Sequence, residues 1–349
     1  MIEIALEAGA KVVLTLITLL TLVILTVYTE RRVSAFVQNR IGPNRVGPKG
    51  ILQAVADVVK LLMKEDIVPK SANKSIHDLA PMISIGVAMS TFAVIPIGSS
   101  IEVFGREVKL MIADVNIGIL YILALTSMGV YGITLAGWSS NSKYSLLGGL
   151  RSSAQLISYE LSMGVSIIGV LLISGSLRLS EIVQTQAATV WAGIPAWNVF
   201  LQPVAFVTFV VAAFAETNRL PFDLPEAEPE LVGGYHTEYS GLKFGLFMLS
   251  EYVNMIVASA IIATLFLGGY AFPWTDQLRL TGNMLALAEV LTFCAKVGAV
   301  MFFIILIRWT LPRVRYDQLM NLGWKVMLPI ALANLVVTAS IIAIMHWAS

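Results

Sequence analysis

The chain has 349 residues, 57% hydrophobic and 13% charged, with a mean hydropathy of +0.81; soluble domains carry about 25% charged residues, so this composition needs lipid as part of its solvent. A net charge of +1, with no Lys/Arg run interleaved with aromatics, excludes a broadly basic nucleic-acid surface. One cysteine (Cys294) and three histidines without ligand spacing (His77, His236, His346) exclude an iron–sulfur cluster, a disulfide or a histidine metal site built within the chain.

Crossing a hydrocarbon core of roughly 30 Å takes about 20 apolar residues of helix. Eight segments qualify: 10–28, 79–97, 115–136, 157–174, 197–215, 246–267, 285–307 and 326–345. The expected fold is an all-α integral membrane protein of about eight transmembrane helices, a single membrane domain over 1–349. Acids beginning at Glu3 precede the first span, unlike the basic start of a signal peptide, so the first helix is expected to be retained.

The first connection opens with Glu30-Arg31-Arg32 and continues from Arg40 to Pro48, where Gly and Pro break the chain while arginines crowd one surface. These arginines suit a topology signal as well as docking of an acidic partner or a polar head group. Next, Ile51, Leu52, Val55, Val58, Val59 and Leu62 recur at helical spacing opposite Gln53, Asp57, Lys60 and Lys64. This predicts an amphipathic helix lying in the membrane interface, either a surface anchor or the doorway through which an amphiphile enters from lipid.

The third span holds no acid between residues 115 and 136. The fourth carries Glu160 one turn in, where a carboxylate costs about 2.5–3.5 kcal/mol on insertion scales and is a functional candidate. Glu216 ends the fifth span, Glu251 begins the sixth, and the seventh contains Glu289, Cys294 and Lys296. For Glu251 and Glu289 placement near a helix end competes with function; Cys294, in an apolar stretch, reads as packing.

From Glu216 to Glu230, prolines at 221, 225 and 229 preclude a regular helix and predict an extended loop. Five acids (Glu216, Asp223, Glu226, Glu228, Glu230) stand against Arg219 alone, while Leu220, Phe222 and Leu224 alternate with the charges and predict packing. A packed, acid-lined loop holds protons near neutral pH through desolvation and mutual repulsion, which suits proton-coupled chemistry. Along the whole chain, seventeen Lys/Arg fall in the odd connections and four in the even ones. The odd loops are therefore expected in the cytoplasm and both termini on the outer side.

Two strings, TERRVSAFVQNRIGPNRVGPKGILQAVADVVKLLMKED and FAETNRLPFDLPEAEPELVGGYHTEYSG, resemble the signature regions of one membrane-subunit family of respiratory complex I, the NADH:quinone oxidoreductase, whose mitochondrial member is the first ND subunit. DVNIGILY, GWSSNSKYSLLGGLRSSAQLISYE, EYVN and LPRVRYDQLMNLGWKVMLP extend the likeness over residues 28–335. The resemblance implies a subunit at the heel of the membrane arm, in the bacterial cytoplasmic (inner) membrane, with loops 30–78 and 216–245 forming a quinone chamber and the interfacial helix bordering its entrance. Arg31, Asp57, Arg219, Asp223, Glu226, Glu228 and Glu230 would line or support that chamber. Glu160 and Glu216, joined by Glu251, would begin an acid relay towards pumping subunits. Ubiquinone or menaquinone would be the substrate, with iron–sulfur clusters and flavin held by hydrophilic-arm partners and small membrane subunits alongside. Some relatives carry an acid in the third span, so its absence here predicts a different relay route.

A secondary transporter would show two related halves, and no internal repeat is present. Membrane-bound hydrogenases and F420H2 or ferredoxin-linked complexes share the ETNRLPFD type of loop, whereas the intact RIGPNRVG favours the quinone branch. A bare scaffold leaves the cost of Glu160 unexplained.

Overall fold

The computed structural model describes residues 2–103, 105–191, 194–224, 228–272 and 281–348. It is helical apart from two small hairpins. The first helix, α1 (Ile2–Val37), runs for 36 residues, about 54 Å at 1.5 Å per residue, and so outreaches a bilayer core of about 30 Å. Its threonines remain compatible with lipid because the hydroxyls of Thr18, Thr21, Thr26 and Thr29 donate to carbonyls four residues back. A tight turn follows and closes at Gly50, with φ of 80°; a Cβ there would stand 2.2 Å from the Pro43 carbonyl oxygen, so only glycine fits. It delivers the expected amphipathic helix, α2 (Gln53–Met63). Ala54 is its buried residue, while Val55, Val58, Val59 and Leu62 are exposed and face whatever surrounds the chain.

Helices α3 (Lys74–Thr91), α4 (Gly118–Ser139) and α5 (Lys143–Ser174) pack side by side. Short helices α6 (Leu179–Ala187) and α7 (Asn198–Leu201) lead into α8 (Pro203–Glu216). Beyond α9 (Glu228–Leu231) comes α10 (Gly241–Phe266), buried without interruption from Met255 to Phe266 and thus the centre of the bundle. Helix α11 (Asn283–Thr310), α12 (Tyr316–Asn321), a π-helical stretch (Leu322–Met327) and α13 (Leu328–Ala348) complete the chain. Strands β1 (Ser100–Val103) and β2 (Arg106–Lys109) form one antiparallel hairpin, β3 (Thr189–Trp191) and β4 (Ile194–Pro195) another.

Among the described residues seven helices are long and apolar enough to cross a membrane. The fifth expected span, 197–215, is not one helix. It breaks at Gln202 and restarts at Pro203, whose missing N–H is harmless at a first helical position. Its continuous part, 14 residues, is about 21 Å long. Gln202 is buried at the break, accepting from Asn334 at 2.8 Å and donating to Thr338 at 2.8 Å, so α13 satisfies the polar group exposed there.

The broken segment nevertheless joins opposite ends of the bundle. At one end the odd connections meet through Lys243–Asp66, Arg151–Glu230 and Arg313–Asp223. At the other the even connections meet: the backbone N–H of Glu102 donates to Asn283 (2.8 Å), Ser180 to Asp114 (3.0 Å) and the N–H of Gly268 to Gln186 (3.0 Å). Asn198 belongs to the second end, donating to the Leu265 carbonyl, and Glu216 to the first; the chain therefore makes eight passes.

Candidate functional site

The described part of the acid-rich segment after α8, residues 217–224, is packed, as its apolar alternation suggests, with Phe222 and Leu224 5% and 1% exposed. It is not an extended loop. Residues 217–224 form consecutive turns and Glu228–Leu231 one helical turn, with Pro229 near its start, where no intrahelical N–H is needed. Gln155 of α5, fully buried, sets this shape: its Nε2 donates to the carbonyls of Ala215 (2.7 Å) and Phe222 (2.8 Å). From the other side the Val314 N–H donates to the Pro221 carbonyl at 3.1 Å.

These turns aim Arg219 inward. Its Nη1 lies 2.8 and 3.0 Å from the two oxygens of Glu30 on α1, and its guanidinium stands 4.3 Å from the Tyr252 ring centre. Arg308 of α11 donates to the same carboxylate. Glu30 is 4% exposed, so two arginines share one buried anion, with aromatic support for one of them. Arg313 holds Asp223 at 2.7 Å, and Arg31 holds Asp57 of α2 at 2.6 Å. Glu230, expected with these residues, is exposed and paired with Arg151 at 2.6 Å. Glu226 and the side chain of Glu228 lie outside the described residues.

Three cavities run in series from this cluster. The first, about 80 Å3 open to water, is lined by Asn218, Arg219, Asp223, Glu251 and Arg308. The second, about 40 Å3, shares Asn218 and Glu251 and adds Ser84, Thr126, Tyr235 and Glu216. The third, about 10 Å3, shares Thr126 and Glu216 and adds Glu160. One water needs about 10–15 Å3, so the first two have room for water and the third is at the limit. Glu251, Glu216 and Glu160 thus face consecutive compartments. Tyr235 donates to Glu251 at 3.0 Å, and Ser127 of α4 donates to Glu160. The third span supplies hydroxyls, Thr126 and Ser127, where an acid is missing. Nearby, burial pushes the Tyr239 phenol up to about 12, so it remains a neutral neighbour of Ser139.

The other intramembrane charges serve the opposite end. Glu289, 7% exposed, accepts from the backbone N–H and hydroxyl of Ser99 at 2.7 and 2.6 Å. Lys296 donates to the carbonyls of Gly269 and Ala271, closing the turn after α10. Among the described residues no cluster of metal-ligating side chains occurs.

The sequence reading missed Glu30, Arg308, Arg313, Gln155 and Ser127. Arg308 and Arg313 follow span ends and look like orientation charges, Glu30 opens a charged string after the first span, and the Ser127 hydroxyl lies within reach of the Leu123 carbonyl like any helix serine, so only proximity reveals Glu160 as the alternative acceptor.

Fold and site together define a multi-pass helical membrane protein with a line of carboxylates leading inward from an arginine-rich end. The chain belongs to the NADH dehydrogenase family, which matches residues 10–339. It is 59% identical over 319 residues to NADH-quinone oxidoreductase subunit 8 of Rhodothermus marinus, covering 90% of each chain. It is 54% identical to an NADH-quinone oxidoreductase subunit of Salinibacter ruber (90% of each chain) and 50% identical to one of Cytophaga hutchinsonii (93% of each).

Proposed function

We propose that this chain is the membrane subunit of a proton-translocating NADH:quinone oxidoreductase that shapes the quinone chamber and begins the acid relay. The observation that carries the reading is the series of cavities in which Glu251, Glu216 and Glu160 share walls, starting at the Arg219–Asp223 cluster. Reducing a quinone to quinol takes two electrons and two protons. In this reading partner subunits supply the electrons through their flavin and iron–sulfur clusters, and this chain binds the quinone and manages protons and charge. Arg31, Asp57, Arg219, Asp223, Glu226, Glu228 and Glu230 form or brace the chamber in loops 30–78 and 216–245, with α2 at its entrance. Consumption of protons beside Asp223 and Glu251 changes the field felt by Glu216 and Glu160, and charge redistributed along these carboxylates passes the change inward. In the bacterial cytoplasmic membrane that the resemblance implies, the charge split between loops supports odd loops inside and both termini in the periplasm.

Asp223→Asn keeps the side chain's shape but removes the charge facing Arg313. Quinone reductase activity of the assembled complex is expected to fall about tenfold, a barrier increase of about 1.4 kcal/mol, while NADH oxidation by an artificial acceptor upstream persists. Unchanged quinone turnover in an intact complex would remove Asp223 from the chamber. Identifying the quinone and subunits that co-purify with the chain tests the assignment independently.

A further inference from the structure

Helix α2 has little to hold it. Its apolar face is exposed and Ala54 is its buried residue, so few polar contacts tie it to the rest of the chain. One is Arg31–Asp57. The other is an assembly at its C-terminal end built around Lys243. The Lys243 ammonium lies 2.7 Å from Asp66, just beyond α2, and 2.6 Å from Asp78 in the first turns of α3, while its own backbone belongs to the first turn of α10. The Lys243 side chain is 17% exposed and its partners Asp66 and Asp78 are 44% and 39% exposed, so the pairs sit at the protein's rim, partly screened by solvent.

The neighbouring backbone is shaped for the same contact. Gly241, at φ of 55°, sits so close to the last carbonyls of α2 that a Cβ would stand 3.1 Å from the Lys64 oxygen. The Ser240 hydroxyl accepts from the Ile67 N–H at 2.9 Å and donates to the Glu65 carbonyl at 3.2 Å. These bonds hold the extended residues just after the C-terminus of α2 against the start of α10. His77, adjacent to Asp78 and fully buried, stacks on Tyr239 at 3.9 Å and so ties α3 to the same residues.

We propose that Lys243 is a positioning residue for quinone reduction: by clamping the end of α2 to α3 and α10, it fixes the helix past which the quinone enters. The proposal rests on the chamber reading above, and its structural and functional halves are separable by experiment. An ideal Cβ on Gly245 would lie 3.9 Å from the Leu61 Cβ, within the 3.5–4.5 Å of a disulfide, so a cysteine pair at these positions reports directly whether α2 is seated.

In the assembled complex with Cys294→Ser, the pair Leu61→Cys and Gly245→Cys is expected to oxidise readily, to oxidise slowly when Lys243→Met is added, and to recover with Lys243→Arg. Peptide mapping under non-reducing conditions reads the bond. Without the cysteine pair, Lys243→Met is expected to raise KM for a long-tailed quinone about tenfold, the factor given by a loss of about 1.4 kcal/mol, with kcat and the KM of a tailless analogue unchanged. Oxidising the cysteine pair in the Lys243→Met background restores the low KM, and reduction abolishes the rescue. Oxidation that is equally fast with methionine overturns the clamp. Slower oxidation with KM unchanged for both quinones leaves α2 clamped but off the substrate's path, and overturns the positioning role.

Discussion

Glu30 is the residue on which the arginine-rich end depends. Removing one member of a buried ion cluster costs about 3–5 kcal/mol, because the remaining charges stay buried without a counter-charge. Glu30→Gln leaves Arg219 and Arg308 facing a neutral amide, so assembled complex is expected to fall sharply on native gels, or to survive with a markedly lower melting temperature. Replacing Glu30 and Arg219 together by methionine is expected to cost less than the sum of the two single changes, since only Arg308 then loses its carboxylate and Arg219 is no longer left unpaired. Strictly additive losses would mean that the two do not act as a pair. Nothing in the string Glu30-Arg31-Arg32 announces this division of labour: neighbours along a helix point about 100° apart, sending Glu30 inward and Arg31 towards Asp57. Glu160 was legible because a carboxylate inside an apolar run is expensive, whereas its partner Ser127 carries no such cost and left no sign.

At the scale of elements, period and length were enough for α2 and for seven of the eight passes. They failed for the fifth, because counting apolar residues is blind to where a backbone breaks. The signal was Gln202-Pro203, a polar side chain followed by a residue that starts helices more readily than it continues them. The broken pass ends with Glu216 beside the cavities and is stapled there by Gln155. Gln155→Leu removes two good hydrogen bonds, each worth about 1 kcal/mol, and leaves the Ala215 and Phe222 carbonyls buried without that donor. Faster proteolytic cleavage within 217–224 and a complex less stable by about 2–4 kcal/mol are expected; unchanged protection would show that the turns hold themselves. The acid-rich segment was correctly read as packed from its alternating Leu220, Phe222 and Leu224, but its turns depend on Gln155, some sixty residues earlier and visible only once the chain is folded.

For the whole molecule, odd and even connections gather at opposite ends, and the seventeen-to-four division of basic residues is the basis of the proposed orientation. Reporters fused near Lys49 are expected to give a cytoplasmic signal and those behind α13 a periplasmic one; the reverse result at either site would overturn the orientation. In the proposed function the acids facing successive cavities couple quinone reduction to proton movement, and Glu160 is the innermost of them. Glu160→Gln preserves the contact with Ser127 while removing the titratable proton. The decisive measurement is proton uptake into inverted membrane vesicles, recorded with quinone reduction in the same preparation and with retention of the hydrophilic arm as the check on assembly. Strongly reduced proton uptake is expected, with coupled turnover reduced alongside it, and a milder defect for Glu160→Asp. Full proton uptake at normal quinone turnover in the glutamine variant would contradict that coupling.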